Sequence, residues 1–378
     1  MKFSIVVVIT LVSIGFPALR AQENVYDEMN AAWEKRSKAV KTAEIEIKCE
    51  QYYSKGSIST QFAGVKSENG SLLFSSPIPA VDTTIQFLAT YTLQDNKVRL
   101  TLDGTMWTGS NFAKCREVVV YTPGGARDLR EVEGKLKVGH AEKSPDYFMA
   151  NTETFLPLTY CFRNVSDYPS RTLVAHKLKE AGKRVRIGDE ECRVFSKVSD
   201  SANSQLYYLA DSKDWVVTRQ TIKGVWPGSR IAYDITYHND PSGLRIPSDW
   251  EVKTVFADST ISMTHKYKVT SASINRDVST TVFNLDFPVG TKVFDESFAN
   301  NLPVMVHTDG TYQPTSDATP QQLAEFRKHQ DKSRASQINN VMLYVGLALL
   351  VSGSIAIVIR AIWKARKIRK LASTQTLY

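Results

Sequence analysis

The sequence predicts an α+β chain that is mostly β: one broad antiparallel sheet carrying one or two helices, followed by a C-terminal transmembrane helix. Three observations support this. Apolar and polar residues alternate with period two in run after run between residues 44 and 269, the pattern of strands buried on one side. Helical spacing is confined to short stretches. Near the C-terminus, 19 consecutive residues carry no charge.

The first strand is the clearest. In Glu44-Ile45-Glu46-Ile47-Lys48-Cys49-Glu50, Ile45, Ile47 and Cys49 share one face and four charges share the other. The pattern returns at Ile85–Tyr91, Lys97–Leu102, Ile231–Tyr237, Trp250–Lys253 and Ile261–Val269. Turn-forming residues divide these runs, among them Asp95-Asn96, Asp103-Gly104, Pro123-Gly124-Gly125 and Asn239-Asp240-Pro241-Ser242-Gly243. Ahead of the first strand, Met29, Trp33, Arg36 and Val40 fall at helical spacing within Asn24–Val40, which predicts an amphipathic helix. Pro145–Thr159 reads as either helix or loop. No Gly-, Pro- or Ser-rich linker divides residues 22–310, so they read as one exported β-rich domain unless residues 110–200 hold an insertion. Residues 311–340 are a polar stalk, helical from 320. There Thr319 supplies an N-cap hydroxyl, Pro320 the first helical position and Gln322 the third, a capping-box start.

Both ends carry export signals. Residues 1–21 combine Lys2, an apolar run from Ile5 to Phe16 and the ending Pro17-Ala-Leu-Arg-Ala21, as in a secretory signal peptide cut after Ala21; an uncleaved anchor is the alternative. Val341 to Ile359 is the apolar part of an uncharged stretch that reaches back to Ala335. As a helix it covers ~28 Å, against about 30 Å of hydrocarbon in a bilayer. Arg360, Lys364, Arg366, Lys367, Arg369 and Lys370 follow at once, interleaved with Trp363, and place residues 360–378 in the cytoplasm. The expectation is a single-pass protein of the plasma (inner) membrane with an extracytoplasmic, periplasmic domain. Ala348, Ser352 and Ala356 lie four apart, a stripe along which two such helices could form a homodimer.

The charge balance follows from these ends. Of 47 basic and 39 acidic residues, the net +8 resides in Lys2, Arg20 and the six cations of the tail. Residues 22–359 are neutral, which argues against a nucleic-acid partner. With 42% apolar and 23% charged residues, the chain falls outside the disordered, collagen and coiled-coil classes.

Signatures of catalysis are missing. The sequence has no Gly-x-Ser-x-Gly, His-Glu-x-x-His, Gly-x-x-x-x-Gly-Lys or Cys-x-x-Cys, and it implies no catalytic residue, cofactor or metal. His140, His176, His238, His265, His307 and His329 stand apart. His265 shares a strand face with Ile261, Met263, Tyr267 and Val269, where it either meets a polar group inside a cavity or hydrogen-bonds at the rim of a core. Cys49, Cys115, Cys161 and Cys192 are too widely spaced for a compact zinc site. They allow three disulfide pairings, and buried free thiols equally, because Cys49 and Cys192 fall on inward-facing positions.

An ordered set of features in the last third has a counterpart elsewhere. Glu191-Cys192-Arg193-Val194-Phe195 is followed by Leu206-Tyr207-Tyr208-Leu209-Ala210-Asp211, Trp215-Val216-Val217-Thr218-Arg219 and Tyr233-Asp234-Ile235-Thr236-Tyr237. Then come the Arg245-Ile246-Pro247-Ser248-Asp249-Trp250 corner, Tyr267-Lys268-Val269 and Phe283-Asn284-Leu285-Asp286-Phe287-Pro288-Val289-Gly290. This resembles the LolA/LolB-like lipoprotein-localisation superfamily over residues 24–296, best over 190–296. The resemblance implies an open half-barrel, a strongly curved antiparallel sheet with helices across its mouth and a concave face that holds acyl chains.

On that reading the cavity lining is Ile45, Ile47, Phe87, Tyr91, Leu100, Tyr233, Ile235, Trp250, Met263, His265 and Leu285, with Met29 and Trp33 as a lid. The partner is a lipid or lipoprotein acyl chain, bound without catalysis by a membrane-tethered module. The alternatives are a concave face packed by its own side chains and an envelope signalling or scaffold protein whose sheet binds a protein partner.

Overall fold

The computed structural model describes residues 25–61, 77–108, 111–133, 136–144, 153–162, 173–197, 205–211, 214–223, 229–256, 261–296, 302–315, 318–324 and 326–328. The expected signal peptide, membrane span and cytoplasmic tail lie outside the described residues. Among the described residues no helix is long and apolar enough to cross a membrane.

The chain divides into two compact units. The first is mostly β. Helix α1 (residues 25–39) buries Val25, Met29, Trp33 and Arg36 at helical spacing, and its single apolar stripe fits it to lie on a sheet. The strands are β1 (Thr42–Tyr53), β2 (Thr83–Gln94), β3 (Lys97–Trp107), β4 (Phe112–Thr122), β5 (Gly125–Val132), β6 (Leu136–Glu142), β7 (Leu178–Ile187), β8 (Glu190–Lys197), β9 (Gln205–Ala210), β10 (Val216–Lys223), β11 (Arg230–Asn239), β12 (Arg245–Val255), β13 (Ile261–Ile274) and β14 (Lys292–Asp295). Their order is β14-β6-β5-β4-β3-β2-β1-β13-β12-β11-β10-β9-β8-β7. Neighbouring strands are also consecutive in sequence except where β1 meets β13 and where β6 meets β14, and the connection from β1 to β2 is long, spanning residues 54–82. A five-residue helix, α2 (Ser57–Gln61), follows β1. Between β6 and β7, a short 3₁₀ turn (Glu153–Phe155) runs into α3 (Leu156–Phe162), whose seven residues are all buried.

The sheet is curled. Within α3, Phe162 stacks on Tyr91 of β2 at 6.4 Å, while Tyr160 meets Tyr207 of β9 edge-on at 6.2 Å. On a flat sheet those strands, six spacings apart in the order above, would be separated by roughly 29 Å; α3 itself is only ~10 Å long. One short helix reaches both because the sheet folds round it.

The face turned from this core is covered in part by the chain after β13. Arg99 and Arg127, which alternate with inner-face Leu100 and Asp128, donate to the carbonyls of Val282 at 2.6 Å and Leu285 at 3.2 Å. Phe283, Leu285 and Phe287 are buried along this strap. It doubles the burial of β4, where Val118 to Tyr121 are all inside. Residues 112–142, left open to an insertion by the sequence, are strands β4 to β6 of the same sheet.

The second unit holds residues 295–304 and those from 312 onward. Residues 312–314 are extended, and residues 320–324 and 326–328 are helical. Thr319 N donates to Gln322 Oε1 at 2.9 Å and Gln322 N to Thr319 Oγ1 at 3.3 Å, the reciprocal bonds of a capping box.

The strap's fit is testable at Gly139 of β6, where an added Cβ would lie 2.5 Å from the buried Phe287 ring. Gly139→Ala is expected to destabilise the protein by about 1–3 kcal/mol, read as a lower urea midpoint with an unchanged slope.

Candidate functional site

The inner face is assembled by register. Ile47 pairs with Val269 and Cys49 with Tyr267. Tyr267 pairs with Trp250, Trp250 with Ile235, and Val252 with Tyr233. In the other direction Ile45 pairs with Tyr91 and Tyr91 with Leu100. Directly paired residues share a face, so large apolar side chains from successive strands converge. Ile45, Ile47, Phe87, Tyr91, Leu100, Tyr233, Ile235 and Trp250 form one buried cluster with Met29 and Trp33 of α1 and with Phe155 to Phe162. Trp250 stacks on Tyr267 at 5.0 Å, and Phe155 caps both edge-on.

The covering helices are held by a few polar bonds. Trp33 Nε1 donates to Trp215 O at 2.9 Å and Arg36 to Asp214 O at 2.6 Å. Asp214 and Trp215, which lead into β10, both have positive φ, 59° and 55°, and α1 reads their carbonyls. Trp250 Nε1 donates to Thr154 O at 2.8 Å, and the buried Tyr160 hydroxyl donates to Gln220 Oε1 at 2.8 Å.

The remaining expected lining residues are placed differently. Met263 packs with Tyr53, Ile58 and Ile85 in an adjoining cluster. Leu285 lies on the strap across the opposite face, not in the concavity: the period-two run Phe283-Leu285-Phe287 imitates a strand but belongs to a 3₁₀ turn and an extended segment outside the sheet. Cys192 is likewise turned from the main core. It packs with Ala210 and Val216 and contacts Thr218 Oγ1 at 3.1 Å, while Phe195 occupies the inner face. All four cysteines are free and buried. Burial pushes the Cys115 thiol up to about 11 and Cys161 to about 12, and raises Cys49 and Cys192, so the thiols stay protonated and unreactive. Among the described residues no cluster of His, Cys, Asp and Glu is suited to a metal.

Two features escaped sequence reasoning. The inner face turns polar along β4 to β6, where Arg130 donates twice to Glu117 at 2.9 and 3.0 Å and His140 Nδ1 lies 2.8 Å from Asp128 Oδ1. Glu117 alternates with Cys115 and Val119, and that was its only signal. A groove of about 590 Å³ also lies on the outer face, lined by Lys48, Glu50, Asp234, Asp249, Lys266 and Lys268 among others. Its charges of both signs interleave across paired strands, and Asp234 is bonded to Arg219.

His265 stands on the inner face of β13, paired with Gln51 of β1 and Val252 of β12. Both ring nitrogens are shut off from solvent and, among the described residues, have no hydrogen-bond partner. Burial pushes its pKa down to about 4.

Solved structures similar to this chain include LolA superfamily proteins. A domain from Vibrio parahaemolyticus named for outer-membrane lipoprotein sorting is 6% identical, with 70% of this chain and 97% of that chain covered and a TM-score of 0.41. A LolA superfamily protein from Nitrosomonas europaea is 8% identical over 68% of this chain and 97% of that one, with a TM-score of 0.32. A chain of the Pseudomonas aeruginosa MucA/MucB complex is 9% identical over 69% of this chain and 61% of that one, with a TM-score of 0.23. No family model and no curated protein matches the sequence. At these identities no residue role passes from one chain to another.

Two predictions follow from the polar contacts. Arg36→Ala leaves the Asp214 carbonyl without its partner and is expected to cost about 1–3 kcal/mol, with amide exchange quickened first along α1. At His265 the folded value near 4 lies below the 6.5 of an exposed imidazole, so the unfolded chain takes up the proton first. Stability is then whole above pH 6.5, falls as the pH drops toward 4 and levels off below, by about 3 kcal/mol in all. Urea titrations at pH 7, 5.5 and 4 should show this slope in the wild type relative to His265→Leu; equal slopes would mean that the ring reaches water.

Proposed function

We propose that the protein is a membrane-tethered, extracytoplasmic binding module, without catalysis of its own, whose curled sheet accepts a lipid, a lipoprotein acyl chain or another apolar group. The observation that carries this reading is how the inner face is covered. Aromatic and aliphatic side chains from many strands converge there, yet among the described residues their cover is α1, α3 and a short turn carrying Leu173 and Ala175 rather than a second sheet, and α1 is latched through Trp33 and Arg36 to one connection. An apolar chain that replaced part of this cover would recover roughly 0.8 kcal/mol per buried methylene, enough over a long acyl chain to offset the contacts given up. In this closed form the cluster is filled by the protein's own side chains, so uptake requires α1 and α3 to move apart. The resemblance of residues 190–296 to lipoprotein-localisation proteins supports the same class of guest, and the uncharged Val341–Ile359 stretch with its trailing cations supports the tether.

Native mass spectrometry of the full chain, released from membranes into a mild detergent, tests the reading. Lipid adducts are expected on the wild type, and a changed adduct fraction on Trp33→Ala. A lipid-free chain that retains a protein partner would replace this reading with that of a signalling scaffold.

A further inference from the structure

The geometry points to His265 as a ligand-binding residue: its imidazole hydrogen-bonds the carbonyl oxygen of an uncharged acyl ester held against the inner face. This inference rests on the apolar-binding reading above and names the polar group of the guest.

A buried donor or acceptor left unmet is destabilising, and among the described residues nothing meets either nitrogen of His265. The polar groups around it are engaged with each other. Tyr53 donates to Gln51 Oε1 at 2.7 Å, and Gln51 Nε2 donates to the Tyr267 hydroxyl at 3.4 Å. The walls are aromatic: the Tyr53 ring lies 5.6 Å and the Tyr267 ring 6.5 Å from the imidazole. Phe112 stands 5.3 Å from Tyr53, and Trp107 5.3 Å from Phe112. Those last two are half-buried, so the aromatic collar runs outward from the histidine to the surface.

Charge decides the chemical class. The charged neighbours Glu50 on β1, Lys266 on β13, and Glu251 and Lys253 on β12 alternate to the outer face. Among the described residues no charged side chain faces His265 from the strands that flank it. A carboxylate or phosphate placed there would lack a counter-charge in an apolar surround. A neutral carbonyl meets the imidazole N–H without that penalty, and an acyl ester brings the carbonyl and an apolar chain together in one molecule.

The test uses the full chain kept soluble in amphipol, with monoolein, oleate and octadecene as probes. Monoolein is expected to move the His265 imidazole ¹⁵N resonances and to bind at least ten-fold more weakly to His265→Leu, while octadecene binds both proteins alike. Resonances that stay still while monoolein binds overturn the inference without relying on the variant's folding, as does equal monoolein affinity for both proteins. Oleate binding as tightly as monoolein with the same resonance shift overturns the uncharged class. If neither monoolein nor octadecene binds, the apolar-binding reading fails and this inference with it.

Discussion

The structure depends on one constraint: among the described residues, the apolar face of a very wide sheet has little chain to cover it. Among the described residues, helix α1, the segment 153–162 and a short turn that brings in Leu173 and Ala175 pack on it, and together they cannot shield a flat sheet of this width from water. Curling removes the difficulty by turning strands toward one another, so that Tyr91 and Tyr207, far apart in strand order, both reach a single seven-residue helix. The aromatic content follows from this. Large rings such as Trp250, Tyr267 and Phe155 fill the space that a curled sheet leaves between its own strands and a thin cover.

The same economy governs the polar groups. Three rings that carry hydrogen-bonding groups into the core aim them at a backbone carbonyl or an amide side chain: Trp33 at Trp215, Trp250 at Thr154, Tyr160 at Gln220. These bonds add modest stability but fix the helices' positions, because leaving any of them unmade costs more than making it gains. Against that background His265 stands out, because neither of its ring nitrogens meets a hydrogen-bond partner among the described residues.

Legibility in the sequence followed exposure. β1, β2, β3 and β11 to β13 have one buried and one solvated face, so their alternation could be read directly. β4 could not be read so, because the strap buries its back while the core buries its front, and Val118-Val119-Val120-Tyr121 shows no period. Helix α3 was equally opaque, since a helix buried on every side has no polar stripe to reveal its pitch. Leu285 misled for the opposite reason: its alternation is genuine, but it fits a segment lying over the sheet rather than one within it. The polar pairs of β4 to β6 depend on cross-strand register that no single run discloses. The buried face of β1, β2, β11 and β12 was readable, and so was α1 with Met29 and Trp33 on its apolar stripe, while α3 was not.

The four buried thiols have a practical consequence. Cys49 lies beneath the aromatic cluster, Cys161 within the helix that covers it, and Cys192 behind the sheet. Held protonated and away from solvent, they are silent toward alkylating reagents while the fold is shut. Each becomes a chemical clock for its own layer, and the order in which they are modified would record whether the molecule breathes from its front, through its plug or from its back.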